Sequence, residues 1–231
     1  TLNETTNAYT LVITDTTVAV ADLETLDGLT TVAVNASNVT TLTGSISAVT
    51  DIYAANTAGT VSGLGNEAVT ISDTTSVAVT SLNTLDGKTT GTINASTIQS
   101  LTGTAADLNT AYASSGISGL GDEAVTISDT SLAATVLNTL DGNTTGAVNA
   151  ATITTFTSST AATLNTAYAS SGITNLGNEA VTLSDTSLAS TVLNTLDGNT
   201  TGTVNAATVT TLTGTAATAN TAYASSGISG L

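Results

Sequence analysis

The chain has 231 residues, with 17 acidic side chains against the single Lys88, a formal charge of −16, and no Arg, His, Cys, Met, Pro or Trp. Nucleic acids and anionic membrane surfaces are held through basic patches, so neither is expected as a partner. Without His or Cys the commonest catalytic base, thiol nucleophiles and thiolate metal sites are gone, and no enzyme activity is expected.

Charged residues make up only 8% of the chain, too few for a disordered acidic tail, and the aromatic residues are one Phe and five Tyr. A core of Ala, Val, Leu and Ile with so few rings suits stacked repeats, in which each layer buries small matched side chains against the next. No apolar run approaches the ~20 residues of a membrane helix, so no membrane insertion is expected. The chain begins without Met and both ends fall inside a repeat, which points to a segment of a longer protein.

The repeat is read from four landmarks taken along the chain. The Ser/Thr-Asp step falls at Asp15, Asp73, Asp129 and Asp185; the Leu-Asp-Gly step at Asp27, Asp86, Asp141 and Asp197. The Asn-Ala step falls at Asn35, Asn94, Asn149 and Asn205, and the tyrosines at Tyr53, Tyr112, Tyr168 and Tyr223. Spacings of 55 to 59, mostly 56, divide the chain into copies 1–62, 63–118, 119–174 and 175–230. The first copy diverges most and carries about three extra residues around Asn56–Thr60; the second has one extra residue between Asp73 and Asp86.

Each copy halves again. Ser96–Ala111 is the sister of Val125–Leu140, and Leu-Asn-Thr recurs at Leu82, Leu108, Leu137, Leu164 and Leu193. The unit is therefore about 28 residues, within the range of a single solenoid coil. Each half opens on a Gly turn and an alternating Thr/Val/Ile run, such as Val125–Ser128 or Thr208–Leu212, which reads as strand. A segment of helical period follows. Leu132, Val136, Leu137 and Leu140 share one helical face, with N-caps offered by Asp129 to Ser131 and a stop by Gly142. In the sister segment Thr104 and Asp107 resemble a capping box; Ala105, Leu108 and Tyr112 share a face, and Gly116 ends it. The expected fold is one continuous parallel β-solenoid over 1–231, each coil being strand plus short helix. The alternative is an all-β parallel helix, since Thr and Ser are poor mid-helix residues.

Stacked coils turn equivalent residues into columns. Asn83, Asn109, Asn138, Asn165, Asn194 and Asn220 form one, which could pass amide hydrogen bonds from coil to coil or simply face solvent. The acids form others. Glu67, Asp73 and Asp86, then Glu123, Asp129 and Asp141, then Glu179, Asp185 and Asp197, supply oxygen ligands in the second, third and fourth copies, the kind of set a Ca²⁺ ion takes. Against that, there is no EF-hand or Gly-rich nonapeptide loop; Asp129 and Asp185 also fit helix caps, and Asp141-Gly142 a turn. No other cofactor is indicated. Gly119-Leu-Gly121 lacks the pattern and the Lys of a phosphate loop, and two acids follow it.

The runs LNTLDGNTTGTVNAATVTTLTGTAA and LNTAYASSGITNLGNEAVTLSD resemble tandem repeats of very large secreted and cell-surface proteins of marine cyanobacteria and related bacteria. The TAADLN and LNTLDG pieces are also similar to the TAAELNxLDG repeats of phage fibres. The resemblance spans nearly the whole chain and implies an extracellular filament, surface layer or adhesin, self-associating or continuing in a longer chain. A receptor- or glycan-binding fibre is its alternative. It carries over no site residue.

Overall fold

The computed structural model describes residues 8–231; residues 1–7 of the first copy lie outside them. In chain order the elements are β1 (Thr17–Ala19), α1 (Val20–Leu29), β2 (Val34–Asn35), β3 (Thr41–Gly44), α2 (Ile46–Ala58), β4 (Val61–Ser62), β5 (Ala68–Ile71), β6 (Ser76–Ala78) and α3 (Val79–Asp86). There follow β7 (Ile93–Asn94), β8 (Ser100–Gly103), α4 (Ala105–Ala113), β9 (Ile117–Ser118), β10 (Ala124–Ile127), β11 (Ser131–Leu132), α5 (Ala134–Asn143), β12 (Val148–Asn149), β13 (Thr155–Ser159) and α6 (Ala161–Ala169). The last are β14 (Ile173–Thr174), β15 (Ala180–Leu183), β16 (Ser187–Ala189), α7 (Ser190–Asn199), β17 (Val204–Asn205), β18 (Thr211–Thr213), α8 (Ala216–Ala224) and β19 (Ile228–Ser229). Repeated strand–helix units with parallel sheets are thus the architecture, and the eight helices among the described residues overturn the all-β alternative.

Among the described residues two compact units are present: 8–101 with 110–120, and 102–109 with 121–231. The first holds the parallel sheet β1-β3-β5-β7-β9 and the pair β2-β4, with α1 packed on α2 and α2 on α3. The second holds β11-β13-β15-β17-β19, the run β10-β12-β14 and the pair β16-β18, with α5 to α8 packed each on the next.

Within each unit a strand pairs with the one two places further along. Thr17 faces Thr41, and Val69 faces Ile93 at the same offset along the chain. Helices instead recur at the longer Leu-Asn-Thr spacing, from Leu108 to Leu137 and on to Leu164. The copies 63–118, 119–174 and 175–230 each contain five strands and only two helices, so their two halves are not interchangeable. The longest strand offsets mark an insertion. Thr41 faces Ala68 and Val34 faces Val61, each pairing three positions further along than Thr17 with Thr41. In the same place α2 has 13 residues where α4, α6 and α8 have nine. The extra residues are absorbed as an added helical turn ending at Gly59, whose φ of 85° lets it close the helix in the left-handed region.

Strands alternate as the sequence alternates: in β10 Val125 and Ile127 are buried and Ala124 and Thr126 exposed. Helices bury one narrow stripe. In α5 it is Ala134, Leu137 and Leu140, each fully buried; burial of one such leucine contributes about 1.5–3 kcal/mol. The long-half helix starts later than expected, because Leu132 belongs to β11. It also runs through Gly142 to Asn143, so Gly142 is a helical residue and no stop. The Thr208–Leu212 run is strand only from Thr211. Phe156 takes the core place held by Leu42 and Leu101 and meets Tyr168 edge-on at 5.9 Å. An added residue beside it appears as a register shift in β13 between Phe156 and Ser159, with Ser158 at φ 29°.

Candidate functional site

The residues with chemistry are the acids, and the fold separates them into three kinds of position. Asp73, Asp129 and Asp185 do cap helices, but not the helices that follow them. α5 begins after Ala133 with no side-chain cap. The Oδ2 of Asp129 instead accepts from the N–H of Ala105, first residue of α4, at 2.7 Å. Asp185 does the same for Ala161 of α6, and Asp73 for Ile46 of α2, each at 2.8 Å. Every one of these helices also has its own cap: Ser45, Thr104 and Thr160 accept from the third helical N–H. Two of the four orphan donors at the helix start are therefore satisfied, one locally and one from the next repeat, and the carboxylate lies at the positive end of the helix dipole. The Thr104–Asp107 box differs in one respect: the Thr104 hydroxyl donates to the Asp107 carboxylate at 2.7 Å.

Asp86, Asp141 and Asp197 lie in the last turn of their helices or just at its end, and each accepts from a serine hydroxyl of the following half-repeat, Ser114, Ser170 and Ser225, at 2.7 Å. Asp27 takes Thr60 in the same way at 3.1 Å. Each serine also accepts from the N–H of the glycine two residues on, Gly116, Gly172 and Gly227. A Cβ on any of these glycines would run into the aspartate Oδ1. Gly116 is thus required by the close approach of Asp86 in addition to lying beyond the end of α4.

Glu67, Glu123 and Glu179 are buried, at 0%, 1% and 0% exposure. Glu179 Oε2 accepts from the Tyr168 hydroxyl at 2.9 Å and from the N–H groups of Gly177 and Asn178 at 2.9 and 3.1 Å. Glu67 repeats this with Tyr53, Gly65 and Asn66, and Glu123 accepts from Gly121. Buried Thr89, Thr144 and Thr200 donate to the main-chain carbonyls of the three glutamates. Burial drives the Tyr53 and Tyr168 phenols far above their ordinary range, and the adjacent carboxylate adds to the effect. The sequence signal for this cluster is the recurrence of the tyrosines and threonines in step with Glu67, Glu123 and Glu179.

Among the described residues no three of these carboxylates gather into a group that could hold a metal ion. Glu67, Asp73 and Asp86 have separate partners, as do Glu123, Asp129 and Asp141, and Glu179, Asp185 and Asp197. The asparagine column is also different from an amide ladder. Asn109, Asn138, Asn165 and Asn194 donate to the backbone carbonyls of Val136, Thr163, Val192 and Thr218 in the next helix. Asn143 and Asn199 then donate to the side-chain oxygens of Asn109 and Asn165.

Thr50 stands in α2 at the position of Asn109 and bonds its own helix at Ile46. Between α2 and α3 lies a shallow cleft of about 430 Å³, lined by Ser47, Thr50, Asp51, Asp73, Ser76 and Thr80 among others. Among the described residues no helix is long and apolar enough to cross a membrane. Comparison with protein-family models, with curated proteins and with solved structures finds no match to this chain.

Proposed function

We propose that this chain is a structural segment of an extracellular filament, surface layer or adhesin, wound as a parallel solenoid whose repeats join end to end. The observation that carries the proposal is the use of the acids: each column bonds one half-repeat to a neighbouring one, through helix starts, serine hydroxyls or tyrosine hydroxyls. In this reading the carboxylates are structural acceptors rather than calcium ligands, and the chain is no enzyme. Negative-stain microscopy and light scattering test it. Elongated or end-joined particles are expected; monodisperse short particles at every concentration would overturn it. Melting in calcium and in EGTA should coincide, and a clear rise with calcium would reinstate the ion.

A receptor- or glycan-binding fibre is the second reading, favoured by the hydroxyl-lined α2–α3 cleft beside the lengthened α2. Glycan-array binding lost on Thr50→Asn, which restores the bridging residue, would support it.

A further inference from the structure

At the α2–α3 cleft the repeat changes chemistry in one direction. Counting back from the tyrosine, α4 and α6 carry Ala106 and Ala162, Asn109 and Asn165, and Thr110 and Thr166 at three positions where α2 carries Ser47, Thr50 and Asp51. On α3, Ser81 precedes Leu82, where Val136 precedes Leu137 and Val192 precedes Leu193. All four departures line the one cleft, together with Asp73. Three of them replace an apolar or amide side chain by a hydroxyl, and the fourth replaces a hydroxyl by a carboxylate.

The lining is rich in acceptors. The Thr50 and Thr84 hydroxyls each donate to a carbonyl of their own helix at 2.7 Å, which leaves only their lone pairs for a ligand. Asp73 uses Oδ2 on the Ile46 N–H. Among the described residues its Oδ1 and the Asp51 carboxylate meet no donor. No basic side chain and no aromatic ring lines the cleft. An anion is repelled by such a surface, and a neutral sugar finds no ring to stack on. A cation carrying its own hydrogen-bond donors is attracted, because charge-assisted bonds to carboxylates are the strong ones. The volume of about 430 Å³ is that of a small-molecule site and exceeds what a lone ammonium group fills.

We infer that the α2–α3 cleft takes an amino sugar, its ammonium group drawn by Asp51 and Asp73 and its ring hydroxyls met by those of Ser47, Thr50 and Ser81. This deepens the glycan-binding reading above and rests on it. A lysine side chain of a partner protein brings the charge without the ring hydroxyls, and the four departures from the repeat supply hydroxyls as well as charge. A divalent ion would need more carboxylates than the two that line the cleft.

The test is calorimetric titration of the whole chain with a glucosamine disaccharide, its N-acetylated form, cellobiose and Nα-acetyl-lysine amide, at slightly acidic pH where the amines are charged. The glucosamine disaccharide alone should bind, and added salt should weaken it. Asp51→Thr, which installs the residue of the later copies, should weaken binding about tenfold or more, with circular dichroism unchanged. Ser81→Val, again the residue of the later copies, should weaken it too. Asp122→Asn removes the same charge from an exposed acid outside the cleft and should leave binding as it was. Equal weakening by Asp122→Asn would overturn the inference, by showing attraction to net charge alone. Equally tight binding of the acetylated form or of cellobiose would overturn it, as would binding of none of the four probes. Equally tight binding of the lysine amide would overturn it in favour of a peptide. The glycan reading fails separately, if no glycan of any kind is retained on the array.

Discussion

Replacing Glu179 by Ala tests the account of the buried acids most directly. The side chain is fully buried, and its Oε2 serves three donors: the Tyr168 hydroxyl and the Gly177 and Asn178 N–H groups. A buried donor stripped of its acceptor costs about 1–3 kcal/mol. All three bonds are part-buried, so the two turn N–H groups, which recover water most easily, count at the low end and the half-buried phenol toward the middle of the range. The sum is a loss of about 3–5 kcal/mol. For a chain of this size each kcal/mol moves the melting temperature by about 2–4 °C, so a drop of roughly 10 °C is expected. Thermal and urea unfolding followed by far-ultraviolet circular dichroism read it. Tyr168→Phe in the Glu179→Ala background should recover about 1 kcal/mol, because it removes the stranded hydroxyl. A loss under about 1 kcal/mol, or strictly additive effects of the two changes, would refute the reasoning.

Three further outcomes follow from the same contacts. Tyr53 and Tyr168 hold their protons in the fold beyond the ordinary value of 10.0, so the stability they confer is fully present below that pH and is lost as pH rises through their raised folded values. Alkaline melting curves should show the fall, and Tyr53→Phe with Tyr168→Phe should flatten it. Gly172→Ala forces a Cβ into the Asp141 carboxylate and should cost about 1–3 kcal/mol, whereas Gly142→Ala, inside α5 with open space around it, should stabilise by about 0.5–1 kcal/mol; paired denaturant titrations compare them. Asp129→Ala should cost about 0.5–2 kcal/mol and raise hydrogen exchange at the start of α4, not α5, because the capped N–H is that of Ala105.

Local order was legible wherever it depended on local spacing. The period-2 run Val125–Ser128 placed β10, Thr208–Leu212 overreached β18 by three residues, and Leu-Asn-Thr located α3 to α7 with their buried leucines. The insertion at Asn56–Thr60 was visible as a count, though not as an extra turn of α2. The candidate acids were also found, since a carboxylate recurring in every copy is plain in the sequence. Their partners were not. Asp129 stands shortly before α5, and sequence proximity assigns it there; the N–H it caps is that of Ala105, back at the start of the preceding helix. Asn109 sits in a column of asparagines, which suggests an amide ladder, yet a backbone carbonyl of the next helix is the nearer acceptor.

The sequence by itself determined the repeat, the alternating and helical-period segments within it with the side of each that is buried, and the absence of the residues that most enzymes and nucleic-acid binders need; that the helical-period segments are helices was decided by the structure. These depend on intrinsic preference and periodicity, which operate over a few residues. Only the tertiary structure decided that strands pair at a shorter offset than the one at which helices recur, and that the aspartates meet donors on a neighbouring half-repeat. Hydrogen-bond partners are chosen by which orphan donor lies within about 3 Å, and that distance is set by how strands pair and helices pack within each unit, not by neighbours along the chain.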